Sequence, residues 1–119
     1  MSYMSSVTIE DYHFGSIKVD GRTYTDDIKI VDGRVVPDWW RIEGHKIAVA
    51  DIEDILKAKP DVLVVGKGDP GLMEVLPETE ERLEELDILL IAKPTTEAVK
   101  TYNSMLGQRK VAFAAHLTC

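Results

Sequence analysis

The sequence predicts one α/β domain, a parallel β-α-β-α-β core with an antiparallel β-meander ahead of it. Three observations carry this expectation. Val62-Leu63-Val64-Val65 and Ile88-Leu89-Leu90-Ile91-Ala92 are continuous apolar runs of strand length, the pattern of parallel strands covered on both faces. Each is followed by a segment whose apolar residues recur at helical spacing. Before residue 37 the period is two instead, and Asp-Gly pairs punctuate it. The 119 residues make one domain, 1–119, with residues 1–6 expected to be a flexible tail.

The elements follow in order. Ile17 and Val19 alternate with Ser16, Lys18 and Asp20, a strand with one buried face. Asp20-Gly21 is a tight-turn signal, because glycine accepts the positive φ that such turns need. Tyr24 to Val31 reads as a second strand, with Ile28 and Ile30 on one side and a bulge or exposed edge at Asp26-Asp27. Asp32-Gly33 turns the chain into Val35-Val36, and Pro37 stops the ladder. Asp51 is placed to cap a short helix, Ile52 to Lys59, which Pro60 ends. After the strand Val62–Val65 comes a glycine-rich loop, Gly66 to Gly71. A helix from about Pro77 to Leu86 turns Thr79, Leu83 and Leu86 inward and five glutamates outward. Ile88 to Ala92 is a second buried strand. Thr95 is read as the cap of a third helix with Ala98, Tyr102, Met105 and Leu106 on one stripe, closed by Gly107. Val111 to His116 is the last strand. Strand and helix alternating in this way imply parallel pairing with right-handed crossovers.

Composition excludes several function classes. Acidic residues outnumber basic ones 21 to 14, a net charge of −7, which repels nucleic-acid phosphates and anionic lipid alike. Both apolar runs fall far short of the ~20 residues of a membrane helix, and the first residues carry neither a secretory signal nor a transit peptide. A single cysteine, Cys119, forms no internal disulfide, and the expected compartment is the cytoplasm.

In an open α/β sheet, ligands bind beyond the carboxyl ends of the parallel strands. Those ends gather Gly66, Lys67, Gly68, Lys93, Thr95 and His116 on one rim, a mildly basic edge sized for one small anion. Gly66-Lys67-Gly68-Asp69-Pro70-Gly71 matches G-x-G-x-x-G, yet the helix that should open inside such a loop is delayed to residue 77. The loop is therefore read as a structural turn, with backbone N–H groups holding an anion as the remaining functional reading. His116 and Cys119 point to opposite faces of an extended strand, which argues against a thiolate–imidazole pair. His13, His45 and His116 have no metal-ligand spacing, so no metal, cofactor or catalytic residue is assigned. Trp39-Trp40-Arg41 is the other candidate: alternation buries one indole and exposes its neighbour, which beside an arginine has the composition of an interaction hot spot. The alternative is that both tryptophans cover the edge of the core.

The ordered set of Phe14-Gly15, Trp39-Trp40-Arg41 with Gly44-His45, Gly66-x-Gly68, Thr96-Glu97-Ala98 with Tyr102-Asn103, Arg109 and His116-x-Thr118-Cys119 resembles a small family without an established activity. Its animal members include NADH dehydrogenase assembly factor three and an adipogenesis-associated protein. The resemblance implies a three-layer fold with a central mixed sheet and action by binding partner proteins. It implies no catalytic residues, and Lys67 stands where several relatives have a smaller residue. The expectation is thus a cytoplasmic interaction or assembly module with a protein partner and without catalysis. The alternative is a small enzyme or an anion- or metabolite-binding protein using the rim. A homodimer on an exposed sheet edge is compatible with both.

Overall fold

The computed structural model describes residues 7–119, and the tail expected over residues 1–6 lies outside them. The chain first forms a small antiparallel sheet from β1 (Ile9–His13), β2 (Ser16–Val19) and β3 (Arg22–Tyr24). Asp20 and Gly21 join β2 to β3 with φ values of 51° and 85°, the left-handed pair that suits a tight hairpin. Sequence alternation locates β2 but misses β1, where Ile9 alone is fully buried.

The single strand expected from Tyr24 to Val31 is two strands in two sheets. β3 stops at Tyr24, and β4 (Ile28–Val31) pairs with β5 (Arg34–Val36) in the central sheet. The break falls at Asp26-Asp27 because the Asp27 carboxylate has partners elsewhere in the fold: Arg41, His116 and the Leu117 N–H. All four residues of β4 are buried, Lys29 included, whose Nζ reaches Asp54 Oδ1 at 2.8 Å.

The central sheet has the order β5-β4-β10-β7-β9, with β7 at Val62–Lys67, β9 at Leu89–Lys93 and β10 at Val111–His116. β10 runs parallel to β7 and antiparallel to β4, and β9 runs parallel to β7, so the sheet is mixed. The last strand is the middle one and all six of its residues are buried. β9 differs from expectation: it has one neighbour, and Leu89 is 51% exposed.

Among the described residues, three helices cover the sheet. A 3₁₀ turn, Val49–Ile52, runs into α1 (Glu53–Ala58). Asp51 is therefore inside the first turn and not the cap; its Oδ2 accepts the Ala48 N–H (2.8 Å) and its Oδ1 the Ile42 N–H (3.2 Å). α2 (Pro77–Glu85) starts on a proline whose missing N–H costs nothing there, and it buries Thr79 and Leu83 with Leu86 half-buried. α3 (Thr95–Met105) lays Ala98 and Tyr102 on the sheet. Thr95 is its first helical residue and no cap; Pro94 holds the cap position. β6 (Lys46–Ile47) and β8 (Glu74–Val75) make a short parallel pair that sequence pattern does not anticipate.

Side-chain alternation along β7 and β10 divides the core in two. Val62, Val64, Phe113 and Ala115 face α3 and the small sheet, where Ile17, Val19 and Tyr102 complete one cluster. Leu63, Val65, Ala112 and Ala114 face the opposite layer and meet Ile52, Ile55, Leu56 and Leu83. The result is three layers around a mixed sheet. No helix among the described residues is long and apolar enough to cross a membrane.

Candidate functional site

β7, β9 and β10 end on the same side, and register places Gly66 beside both Lys93 and Ala115, and Lys67 beside His116. The rim residues Gly66, Gly68, Thr95 and His116 are brought together, and they bond to one another. The Thr95 hydroxyl accepts the Gly68 N–H (2.8 Å) and donates to the His116 carbonyl (2.7 Å). A Cβ on Gly66 would stand 2.8 Å from that hydroxyl, so glycine is needed for the approach. Gly68, at φ +89°, lies so close to the Thr118 carbonyl that a side chain would collide with it. Asp69 N–H donates to the Thr118 carbonyl (3.0 Å) and Leu72 N–H to that of Cys119 (3.2 Å). The glycine loop thus holds the chain's own Thr118 and Cys119. Of the two rim lysines, Lys93 turns its Nζ to Thr101 Oγ1 at 3.4 Å, and Lys67 is half-buried.

The polar centre of this end of the sheet is Asp27. Its Oδ2 accepts from Arg41 Nη2 (2.7 Å) and faces His116 Nδ1 (2.9 Å), and its Oδ1 accepts the Leu117 N–H (2.8 Å). Burial alone would raise the Asp27 carboxyl, but the bonds from His116, Arg41 and Leu117, with the guanidinium charge, hold it below the ordinary aspartate range. Arg41 completes its contacts with Nε to the Gly44 carbonyl (2.9 Å) and a guanidinium 4.5 Å from the centre of the Trp39 ring. Its side chain is 4% exposed, and its Nη1 has no hydrogen-bond partner. The His45 ring meets the His116 ring edge-on at 5.1 Å. Tyr12 O–H donates to the Leu117 carbonyl (3.0 Å); burial first, then a hydrogen bond with Asp69 and its charge, push this phenol well above its usual range.

A cavity of about 280 Å³ opens over this cluster, lined at depth by Asp27, Trp39, Arg41 and His116 and at its mouth by Asp26, Asp38 and Trp40. Trp39 is buried, donating its indole N–H to the Asp51 carbonyl (2.9 Å), while Trp40 is 80% exposed. The adjacent tryptophans therefore have different environments: one belongs to the core and the other to the surface. Trp40 has company. Among the described residues, four of the five exposed large hydrophobic side chains, Phe14, Trp40, Ile42 and Leu72, lie around this end of the sheet. Gly15 N–H, next to Phe14, donates to the Leu117 carbonyl, and Leu72 N–H donates to Cys119. Trp40 shares the cavity with Thr118, and Ile42 adjoins Arg41.

Among the described residues, no group of three or more histidine, cysteine or carboxylate side chains is placed to hold a metal ion. Cys119 is a free, exposed thiol, and the ring nitrogens of His116 face Asp27, Arg41 and Thr118. Sequence reasoning named Arg41 and His116 separately and missed that Asp27 joins them. The signal was the acidic pair in the middle of an expected strand.

Comparison with known proteins matches residues 9–116 to a family described as a protein of unknown function, DUF498/DUF598. A crystal structure of a conserved hypothetical protein from Pyrococcus horikoshii OT3 is 33% identical with a TM-score of 0.84, the alignment covering 94% of this chain and 99% of that one. The protein MT938 is 30% identical, with a TM-score of 0.77 and coverage of 96% and 100%. An outer membrane protein from Bartonella henselae, 21% identical with a TM-score of 0.78 and coverage of 96% and 97%, shares the fold.

Proposed function

The chain belongs to the DUF498/DUF598 family of proteins of unknown function, and from that premise we propose that it is a cytoplasmic protein-interaction module without catalysis of its own. The observation that carries this reading is the clustering of Phe14, Trp40, Ile42 and Leu72 at one end of the sheet. Single exposed apolar residues are ordinary, whereas several at one end of the sheet, an exposed tryptophan among them, have the composition of a docking site. The partner-binding role implied by the family resemblance agrees with it. A metabolite or anion at the rim has less support, because the N–H groups of Gly68 and Asp69 that would hold it already have acceptors within the chain.

The test is cross-linked affinity capture from native lysate with the wild type beside a Phe14→Ser/Trp40→Ala double variant. Both side chains are exposed, so the variant should melt as the wild type does. One protein retained by the wild type and lost by the variant is expected. Equal recovery by both, or recovery by neither, would overturn the reading.

A further inference from the structure

The two edges of the central sheet are built differently. β5 is three residues long, begins on the exposed Arg34 and is followed by Pro37, devices that keep a strand edge from pairing further. β9, the other edge, has none of them before Lys93. Ile88 to Ala92 is apolar, carries no charge and no proline, and its ladder with β7 has no bulge. Its outward polar groups follow from register. Leu89 N–H donates to the Asp61 carbonyl, toward β7. In a parallel ladder the N–H and C=O of one residue point to the same side, and those of the next to the other. Leu89, Ile91 and Lys93 therefore bond toward β7. Leu90 and Ala92 turn both groups outward, where nothing among the described residues pairs with them. Leu89 is exposed along this edge, and Leu90 and Ile91 are half-buried.

One occupant fits these features, the same strand of a second copy run antiparallel. With Ile91 on the twofold axis, Leu90 of each copy lies opposite Ala92 of the other. Each such pair exchanges both its hydrogen bonds, so every outward group of the two strands is satisfied. Sliding the strands by two residues in either direction leaves a carbonyl unmet, because the Ile88 N–H is already given to Leu83 (2.9 Å) and Pro94 has no N–H. The ends agree in charge as well. Asp87, exposed, precedes β9 and Lys93 closes it. Antiparallel pairing sets each Asp87 diagonally across from Lys93 of the other copy, within reach of a long side chain, whereas a parallel neighbour would set like ends together.

We propose that β9 pairs with β9 of a second copy about a twofold axis at Ile91, joining the two central sheets into one. The homodimer uses none of Phe14, Trp40, Ile42 and Leu72, and so goes beyond the docking reading.

Sedimentation equilibrium over a rising protein concentration tests it, and a monomer–dimer equilibrium is expected. Ala92→Pro removes an outward N–H and no bond of the β7 ladder, so the monomer should keep its fold, checked by its thermal melt. The dimer dissociation constant should rise at least about tenfold, the loss of one hydrogen bond per copy. Leu89→Lys, at an exposed position opposite Lys93 of the other copy, should also weaken the dimer, while Leu89→Glu should not. The register has its own readout. In a Cys119→Ser background, Ile91→Cys should give a covalent dimer on mild oxidation, because directly opposed residues outside the hydrogen-bonded pairs have Cα atoms about 4.5 Å apart. Ala92→Cys should not, since its counterpart in the other copy is two residues out of register. A chain that stays monomeric, a dimer indifferent to Ala92→Pro, equal dimerisation of Leu89→Lys and Leu89→Glu, or cross-linking through Ala92→Cys as readily as through Ile91→Cys would each overturn the proposal. Phe14→Ser/Trp40→Ala should dimerise as the wild type does, and loss of the dimer in that variant would move the interface off β9. A monomer whose Leu90 and Ala92 amides gain exchange protection only in a captured complex would assign the edge to a different protein and sink the second copy.

Discussion

Asp27→Asn removes one negative charge from the centre of the Asp27–Arg41–His116 cluster and keeps the side chain's size. The Arg41 guanidinium, 4% exposed, then has no counter-ion, and His116 Nδ1 loses its 2.9 Å partner. Removing one member of a buried ion pair costs about 3–5 kcal/mol. Asp27 keeps 16% of its side-chain surface, and asparagine still offers one oxygen to the Leu117 N–H, so the lower end applies, about 3 kcal/mol. For a chain of this size that is a fall in Tm of roughly 10–15 °C. Urea unfolding at pH 7 measures it, with Asp11→Asn as the control: the Asp11–His13 pair is open to solvent on both sides, 55% and 77%, and should contribute less than about 0.5 kcal/mol. The sign of the pH dependence follows from the depressed carboxyl. The unfolded chain takes up a proton near the ordinary value of 3.8 and the folded chain only below it. The stabilisation is complete above that value and is lost as the pH falls from there through the folded pKa. The wild type should lose stability in that acid window more steeply than Asp27→Asn. A variant within 0.5 kcal/mol of wild type, or one with an unaltered acid limb, would refute the assignment of Asp27 as the cluster's keystone.

Three further outcomes are expected. Trp39→Ala should cost about 3–5 kcal/mol by calorimetry or urea unfolding, whereas Trp40→Ala should stay within about 0.5 kcal/mol, since one indole is 6% exposed and the other 80%. Thr95→Val keeps the shape but leaves the Gly68 N–H and the His116 carbonyl without their shared partner, a loss of about 2–4 kcal/mol that Thr95→Ser should largely restore. Gly68→Ala forces a Cβ toward the Thr118 carbonyl at φ +89° and should destabilise by at least ~2 kcal/mol; amide hydrogen exchange should show residues 117–119 loosened first.

What could be read from the sequence has a common physical basis. Val62–Val65 and Val111–His116 announce themselves because a strand buried on both faces needs an unbroken apolar run, and α3 because its stripe recurs at helical spacing. The same rule misleads at β9, where an apolar run sits at the sheet edge with one pairing partner. β3 and β4 read as one strand because the preference for extended backbone is local. The assignment of each strand to its own sheet is decided by Asp27, whose partners lie 14, 89 and 90 positions away. The rim shows the same limit. Topology alone brings Gly66, Gly68, Thr95 and His116 together, but only long-range contacts reveal that Thr95, Thr118 and Cys119 fill the space between them. Trp39 and Trp40 were readable as an alternating pair; the cavity beneath them was not, because its deep wall is assembled from residues 27, 41 and 116.

The central claim is that partners dock on the end of the sheet where Phe14, Trp40, Ile42 and Leu72 gather. Hydrogen–deuterium exchange on the captured native complex tests it most directly. Protection relative to the free protein is predicted at residues 14–15, 38–44 and 71–73, with the outer edge of β9 unchanged. Protection confined to Leu89–Lys93 or to the glutamate face of α2, with those three segments exchanging as in the free protein, would contradict it.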